Sequence, residues 1–381
     1  MRIGFDVSGL SGYNGINTYS RALIINLARG FPDDEFTLFS TFSKSRLKNL
    51  KGIFGIFTNV EIKPVLPNTL ALGNSLRPVI SSLRSTLLRY HAGKLDILHL
   101  TRPFAEKVKC DNLVLTVQDL FPLLLDEYKG EEAEKEFRSN ASLMLARAAA
   151  IIVPTDYIAR QIESVFPIPG NKLHVVPHAA GSEFKISDEP PGITGNLMPG
   201  SSGYFLYVGS AYPRKNLGRL LESYNRLSET IRRDYGLVLV LTGVSRHINN
   251  LKTNYGDYLE RPGTVILSGV SKRELVSLYS FSTALLLPSM EEGFGLTVLE
   301  AMQCGCPVIT SNTSCLPEVA RDAALYVNPS DTDSLADAMK KLAVDSDVRK
   351  HLISAGLERA GEFSWEKSAE QTMLVYQNLM K

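Results

Sequence analysis

The stretch "ALLLPSMEEGFGLTVLEAMQCGCPVITS", residues 284–311, decides how the rest of the chain is read. It opens on the apolar run Ala284–Leu287, bounded by Pro288 and Ser289, the mark of a short strand buried on both faces. Met290–Gly295 then supplies a turn with glycines at 293 and 295. A helical pattern starts at Leu296 or Thr297 and stops at Gly305, a residue suited to ending a helix. The next apolar run, "PVITS", reads as a second strand. Strand, turn, helix and strand at this spacing predict a right-handed βαβ unit of a parallel sheet. A helix that begins at such a turn exposes its first amides and carries partial positive charge, so it suits a phosphate. Gly293 and Gly295 let the backbone come close to a ligand.

The same grammar recurs outward in both directions. Toward the N-terminus lie "RIGFDV", "EFTLFS", "VEIKPV", "DILHL", "LVLTV", "AIIVPT" and "LHVVPH". A second series holds "YFLYVG", "LVLVLTG", "TVILSG", "ALLLPS", "PVITS" and "ALYVNP". Segments of helical period separate them, so each half reads as a doubly wound α/β sheet. Between the halves, "SDEPPGITGNLMPGSSG" (187–203) is rich in Pro, Gly and Ser and has no period, which marks a linker. Open parallel sheets bind ligands at the carboxyl ends of their strands, and two such sheets facing each other would form a cleft.

With 381 residues, the chain has room for two ordinary domains. Its net charge of +1 argues against a generic polyanion binder such as a nucleic-acid protein. Charge is nonetheless uneven. Residues 43–94 hold nine basic residues (Lys44, Arg46, Lys48, Lys51, Lys63, Arg77, Arg84, Arg89, Lys94) against one acid, Glu61, a net of +8. Within that segment, Leu76, Ile80, Leu83 and Leu87 fall at helical spacing among arginines. Two readings stand: a face for peripheral contact with an anionic membrane or a phosphate-bearing acceptor, or a core-facing helix with solvated arginines. The four cysteines show no zinc or redox spacing, which fits a reduced, cytoplasmic protein. No signal peptide and no membrane-spanning run are read from the sequence. Asp331 and Asp333 form a D-x-D, but they precede a helical pattern, where Asp is an ordinary cap rather than a metal ligand.

Three places can carry chemistry. Thr297 and Glu300, three apart, share a helix face about one turn below the phosphate position. A carboxylate cannot bind phosphate there, but it can accept hydrogen bonds from ribose hydroxyls. Glu292 precedes the helix and falls beyond the phosphate, toward whatever the phosphate is attached to. Arg214 and Lys215, in "YVGSAYPRKNLGRLL", fall in a loop between a strand and a helix. A cation about 4 Å from an anion contributes about 4 kcal/mol at an effective dielectric of 20, so two could stabilise a leaving diphosphate without a metal.

These residues carry a family resemblance. "EGFGLTVLE" followed by "AMQCGCPVITS" is similar to the signature of the retaining, nucleotide-sugar-dependent glycosyltransferases of family four, and "YVGSAYPRKNL" resembles that family's basic loop. "GINTYSRALIINLA", "LTVQDLFP", "HVVPHAA", "SGVSKRELVSLYSFSTALLLPS" and "FSWEKSAEQTMLVYQNL" extend the likeness over nearly the whole chain, most weakly between about 43 and 95. The resemblance implies the GT-B fold: two Rossmann-like domains facing across a cleft, with the C-terminal helix crossing back to the first. On that basis, residues 1–185 plus 367–381 form the acceptor-side domain and 186–366 the donor domain.

The implied activity is retaining transfer of a hexose from a donor of the UDP-glucose or GDP-mannose type, with no cofactor and no metal. The acceptor would be a saccharide or a lipid-linked molecule in polysaccharide biosynthesis, and the setting the cytoplasm, including the inner face of the membrane. Arg214 and Lys215 would bind the diphosphate and Glu292 would lie at the sugar. Gly293, Phe294, Gly295, Leu296 and Thr297 would meet sugar and phosphate through backbone amides. Glu300 would hold the ribose, and backbone near Val270 the base. Gly15 and Gly209 would stand in the glycine loops near the diphosphate. Where the family often has His-Asp at the sugar side, this chain has Gln118 and Asp119. Gln118 hydrogen-bonds but does not titrate near neutral pH. His99 and His178, at strand ends, read as core or capping residues rather than cleft residues. Two other functions use the same nucleotide site: a sugar-nucleotide epimerase and a non-catalytic nucleotide-sugar binder. The first strand is followed by Gly9, Gly12 and Gly15, not by the dinucleotide pattern G-x-G-x-x-G.

Overall fold

The computed structural model describes residues 1–7, 10, 15–41, 43–66, 83, 86–88, 90–91, 93–101, 110–128, 132–192, 201–243 and 245–381. The chain divides into two compact units. Unit 1 is Met1–His178 with Trp365–Lys381, and unit 2 is Ala179–Ser364.

Unit 1 is built on seven strands: β1 (Arg2–Asp6), β2 (Glu35–Thr41), β3 (Val60–Leu66), β4 (Ile97–Leu100), β5 (Leu113–Thr116), β6 (Ala150–Val153) and β7 (Leu173–Val175). They form one sheet in the order β3-β2-β1-β4-β5-β6-β7. Every pairing is parallel. The central strands β4, β5 and β6 are buried at every position. Continuous apolar runs are required there because helices cover both faces of a parallel sheet. One core cluster joins Leu98, Leu113, Leu115 and Ile151 to Met144, Leu145, Ile158 and Ile162 of the flanking helices.

The C-terminal helix, Trp365–Leu379, belongs to unit 1 and packs on α1 (Gly15–Gly30). Polar and aromatic groups fasten it. His99 Nδ1 lies 2.5 Å from the Tyr376 hydroxyl, and its Nε2 lies 2.6 Å from Thr116 Oγ1. Tyr19 from α1 meets the same threonine oxygen at 2.9 Å. His178 stacks on Tyr19, with ring centroids 4.5 Å apart, and on Trp365 at 5.8 Å. Burial pulls both imidazoles down to about 3, so they are neutral core residues.

Unit 2 repeats the architecture with β8 (Gly203–Ser210), β9 (Tyr235–Thr242), β10 (Thr264–Leu267), β11 (Ala284–Leu287), β12 (Val308–Ser311) and β13 (Leu325–Val327). The order is β10-β9-β8-β11-β12-β13, again parallel throughout. Every apolar run picked out in the sequence is therefore a strand. Ala180 and Phe184 pack into the core of unit 2, so the chain enters this unit before the Pro- and Gly-rich linker, whose residues 193–200 lie outside the described set. Three helices matter for the site: α2 (Leu217–Arg226), α3 (Lys272–Ser280) and α4 (Leu296–Gln303). Strand order reverses between β8 and β11, so the chain leaves these neighbours in opposite directions and opens a crevice at their carboxyl ends.

The basic segment is only partly described. Its helix Lys44–Phe54 is capped by Ser43 and buries Leu50 and Phe54. Lys44, Lys48 and Lys51 are exposed on it, and Lys63 pairs with Glu61 at 2.7 Å. This front part is an amphipathic helix with solvated lysines. Leu76, Arg77, Ile80, Arg84 and Arg89 lie outside the described residues. Among the described residues, no helix is long and apolar enough to cross a membrane. Asp331 accepts from the amides of Asp333 and Ser334 and so caps the helix Thr332–Val344.

Candidate active site

Two loops leave the sheet of unit 2 at its strand-order reversal, and their side chains meet. After β8 the chain makes a single 3-10 turn, Pro213–Lys215, and then Asn216 takes the left-handed conformation at φ 60° to start α2. The Asn216 amide donates to Pro288 O at 3.0 Å, in the loop after β11, and to Pro329 O at 2.7 Å, in the loop after β13. Met290 N donates to Arg214 O at 2.7 Å. These bonds fix the basic loop against the glycine turn before any side chain is considered.

Glu292 stands where the two loops touch and is only 6% exposed. Its Oε1 accepts from Lys215 Nζ and, at 2.7 Å, from the Ser289 hydroxyl. Its Oε2 lies 3.4 Å from Arg214 Nη1, which also donates to Glu291 O at 3.1 Å. Cys315 Sγ donates to the Glu292 carbonyl at 3.1 Å. Burial would push the Glu292 carboxyl up, but Lys215 and Arg214, with the bonds from Lys215 and Ser289, outweigh it and hold it below the ordinary value. Burial also pulls the Lys215 ammonium down, against the attraction of Glu292. The sequence kept these charges in separate roles. In the structure they form one buried cluster of two cations and one anion, with a net positive charge.

The turn delivers α4 as expected. Gly295, at φ 93°, is its N-cap, and a Cβ there would lie 3.1 Å from Leu316 Cδ2. Val298 N closes the first turn on Gly295 O at 2.9 Å. Phe294 is buried edge-to-face against Phe363, with centroids 6.0 Å apart, so it anchors the turn through its ring. The amides of Leu296 and Thr297 open the first turn, ahead of the first bond within the helix. Gly305, at φ 69°, ends the helix.

One turn along, Glu300 is half-buried, whereas Val298, Leu299, Ala301 and Met302 of the same helix are buried. Its Oε2 accepts from the Tyr279 hydroxyl of α3 at 3.1 Å. Burial raises its carboxyl to about 7, only partly offset by that bond. Val270 follows Gly269 in the loop between β10 and α3. Gly209, near the end of β8, has the Tyr207 hydroxyl 2.9 Å from where a Cβ would stand.

Unit 2 thus gathers Gly209, Arg214, Lys215, Val270, Glu292–Thr297 and Glu300 on its own carboxyl edge. Gly15, Gln118 and Asp119 belong to unit 1. Gly15 begins α1 and is exposed, and Gly9 and Gly12 lie outside the described residues. Asp119 Oδ1 accepts from Phe121 N at 3.1 Å. Gln118 Nε2 is buried and meets no hydrogen-bond acceptor among the described residues. Ser289, Asn216 and Tyr279 are given no part in the site by the sequence reading. Ser289 and Asn216 lie inside the quoted stretches, a signal that was available. Nothing local links Tyr279 to Glu300.

Comparisons with known proteins find relatives for both units. The model for glycosyl transferases group 1 matches residues 195–359, and the model for Glycosyltransferase Family 4 matches residues 13–180. The O-antigen chain mannosyltransferase B of Escherichia coli is 29% identical over 274 residues, 71% of this chain and 71% of that protein. The serotype-specific mannosyltransferase WbdA of Escherichia coli is 28% identical over 289 residues. That match takes in 73% of this chain but only 35% of WbdA. Among solved structures, the sucrose-phosphate synthase of Thermosynechococcus elongatus superposes with a TM-score of 0.77 at 18% identity, covering 100% of this chain and 99% of its own. HepE of Anabaena, solved with UDP and glucose, gives 0.75 at 15% identity, covering 99% and 100%.

Proposed function

The chain belongs to the glycosyltransferases described by the group 1 and family 4 models, with the GT-B fold, and on that premise we propose that it transfers a hexose, with retention, from a nucleoside-diphosphate sugar to a saccharide or lipid-linked acceptor. The observation that carries this reading is the cluster of Arg214, Lys215 and Glu292 beside the amino end of α4. A diphosphate laid over the first turn of α4 would meet the amides of Leu296 and Thr297, and the Lys215 ammonium and Arg214 guanidinium, held by Glu292 just before that turn, would add positive charge. This is the arrangement that stabilises charge developing on a leaving phosphate.

In the reaction proposed, the bond from the sugar's anomeric carbon to the β-phosphate oxygen breaks. The electron pair leaves with the diphosphate, and the acceptor hydroxyl attacks from the same face. Its proton passes to the leaving phosphate oxygen. Arg214 and Lys215 stabilise the departing anion. Glu292 lies at the sugar and steadies the positive charge on its ring, and its ion pairs also hold the two cations in place. Glu300 receives the ribose, and Val270 lies near the base. Gln118 and Asp119 serve the sugar or acceptor side from unit 1. No cofactor or metal is invoked. The mannosyltransferase relatives favour mannose as the sugar and polysaccharide assembly as the setting.

The test is transfer from GDP-mannose and UDP-glucose to a panel of mannosyl and glucosyl acceptors, with product anomers read by NMR. Glu292→Ala is expected to abolish transfer. Full activity in that variant would sink the assignment. Epimerised sugar nucleotide formed without acceptor would replace transfer by epimerisation.

A further inference from the structure

Tyr279 is fully buried in the core of unit 2, edge-to-face with Phe184 at 6.1 Å between ring centroids. A buried phenol needs a partner for its hydroxyl. Tyr204, Tyr207 and Tyr224, equally buried, each donate to a backbone carbonyl, those of Leu278, Ser210 and Tyr235. Tyr279 donates instead to the side chain of Glu300, across the gap between α3 and α4. The phenol never ionises in the working range, because burial and the neighbouring carboxyl hold it well above its ordinary value. With the carboxyl ionised, the direction of the bond is fixed: the phenol donates and the carboxylate accepts.

We propose that Tyr279 is a positioning residue for the donor nucleotide: its hydroxyl occupies Oε2 of Glu300 and leaves Oε1 turned to receive a ribose hydroxyl. This rests on the reading that Glu300 meets the ribose. Oε1 has no hydrogen-bond partner among the described residues, whereas Oε2 is held at 3.1 Å. Without that bond the carboxyl would turn about its last torsion, which has broad minima. With it, one oxygen and one direction are offered.

The same contact couples donor binding to pH. The groups that face Glu300 are Tyr279 and Lys272 from α3 and Glu183 from the segment before the linker, and Lys272 and Glu183 are paired with each other. Cys304, one turn beyond Glu300, is neutral, its thiol pushed up to about 12. With the flanking charges neutralising one another, burial dominates, and the carboxyl ionises near pH 7. The ionised form makes the stronger bond to a ribose hydroxyl. Donor affinity should therefore rise as pH climbs through 7 and level off above it. Replacing Tyr279 by Phe removes a bond to the charged form, and so moves that midpoint further up.

The experiment is calorimetric titration of the full chain with GDP, UDP and their 2′,3′-dideoxy forms between pH 6 and 8.5, with Tyr279→Phe, Glu300→Gln and the double variant. In the unaltered chain the ribose form should bind roughly tenfold tighter than the dideoxy form at pH 8. Tyr279→Phe should lose most of that preference, shift the pH midpoint up, and raise donor KM with kcat little changed. In the Glu300→Gln background, Tyr279→Phe should add nothing and the pH dependence should vanish. Equal weakening by Tyr279→Phe in both backgrounds, or an unmoved pH profile, would overturn the inference while leaving the functional reading intact. Binding of neither diphosphate to the unaltered chain would overturn both.

Discussion

Lys215 and Glu292 stand 77 positions apart in the chain, and their charged ends are bonded to each other inside unit 2. Neither is solvated enough to be a surface pair: their side chains are 13% and 8% exposed. A buried pair of this kind is held against a desolvation cost and depends on its remaining hydrogen bonds, here those of Ser289 and Arg214.

Lys215→Met should therefore cost more than one lost contact. The Glu292 carboxylate keeps Arg214 and Ser289 but loses its nearest cation. A destabilisation of roughly 3 kcal/mol is expected from breaking one side of a buried pair. Urea unfolding at pH 7 measures it. Donor KM should rise in the same variant. Unchanged stability would mean that the pair is solvated in solution.

Glu300 should make the protein less stable as pH rises. Its folded-state pKa is raised to about 7, above the ordinary carboxyl value of 4.5. Between those values the native state binds more protons than the unfolded one, so stability falls across that window and is level above about pH 7. Glu300→Gln removes the penalty. At pH 8 the variant should be the more stable, by up to roughly 3 kcal/mol if the whole shift is expressed. Parallel unfolding curves at pH 5 and pH 8 decide it. A variant equally or less stable at pH 8 contradicts the burial of this carboxyl.

Gly295→Ala tests the turn. At φ 93° an alanine is strained, and its Cβ would stand 3.1 Å from Leu316 Cδ2. A loss of about 1–2 kcal/mol in stability is expected. The first turn of α4 should also move, which weakens nucleoside diphosphate binding. Wild-type affinity together with the lower stability would separate the turn from the phosphate.

Gln118→Leu is expected to divide stability from activity. Its Nε2 is a buried donor with no acceptor among the described residues. Replacing it with an apolar group of similar size should raise stability by about 1 kcal/mol. Transfer should fall, while nucleoside diphosphate binding stays constant. If transfer is undiminished, Gln118 has no part on the sugar side.

The strands were legible because a parallel sheet covered on both faces demands apolar runs, as in Leu285–Leu287 and Val114–Leu115. The limits of α4 were legible because Gly295 and Gly305 both adopt positive φ. The bond between Lys215 and Glu292 was not. It depends on β8 and β11 being neighbours, and strand order is a product of packing that no local pattern encodes. The bond from Tyr279 to Glu300 was hidden for a similar reason: the tyrosine reads as an ordinary core residue of α3, which it also is. The histidines were legible as core residues: the ring contacts and hydrogen bonds of His99 and His178 run to Tyr376, Thr116, Tyr19 and Trp365 within unit 1.

The helix Trp365–Leu379 completes unit 1 from the far side of unit 2 in the sequence. During synthesis, every residue of unit 2 is therefore added to the chain before the segment that packs on α1 and meets His99. A chain interrupted after Ser364 would carry the whole of unit 2 and an unsealed unit 1, with the apolar and aromatic surface around Tyr19 and His178 open to water.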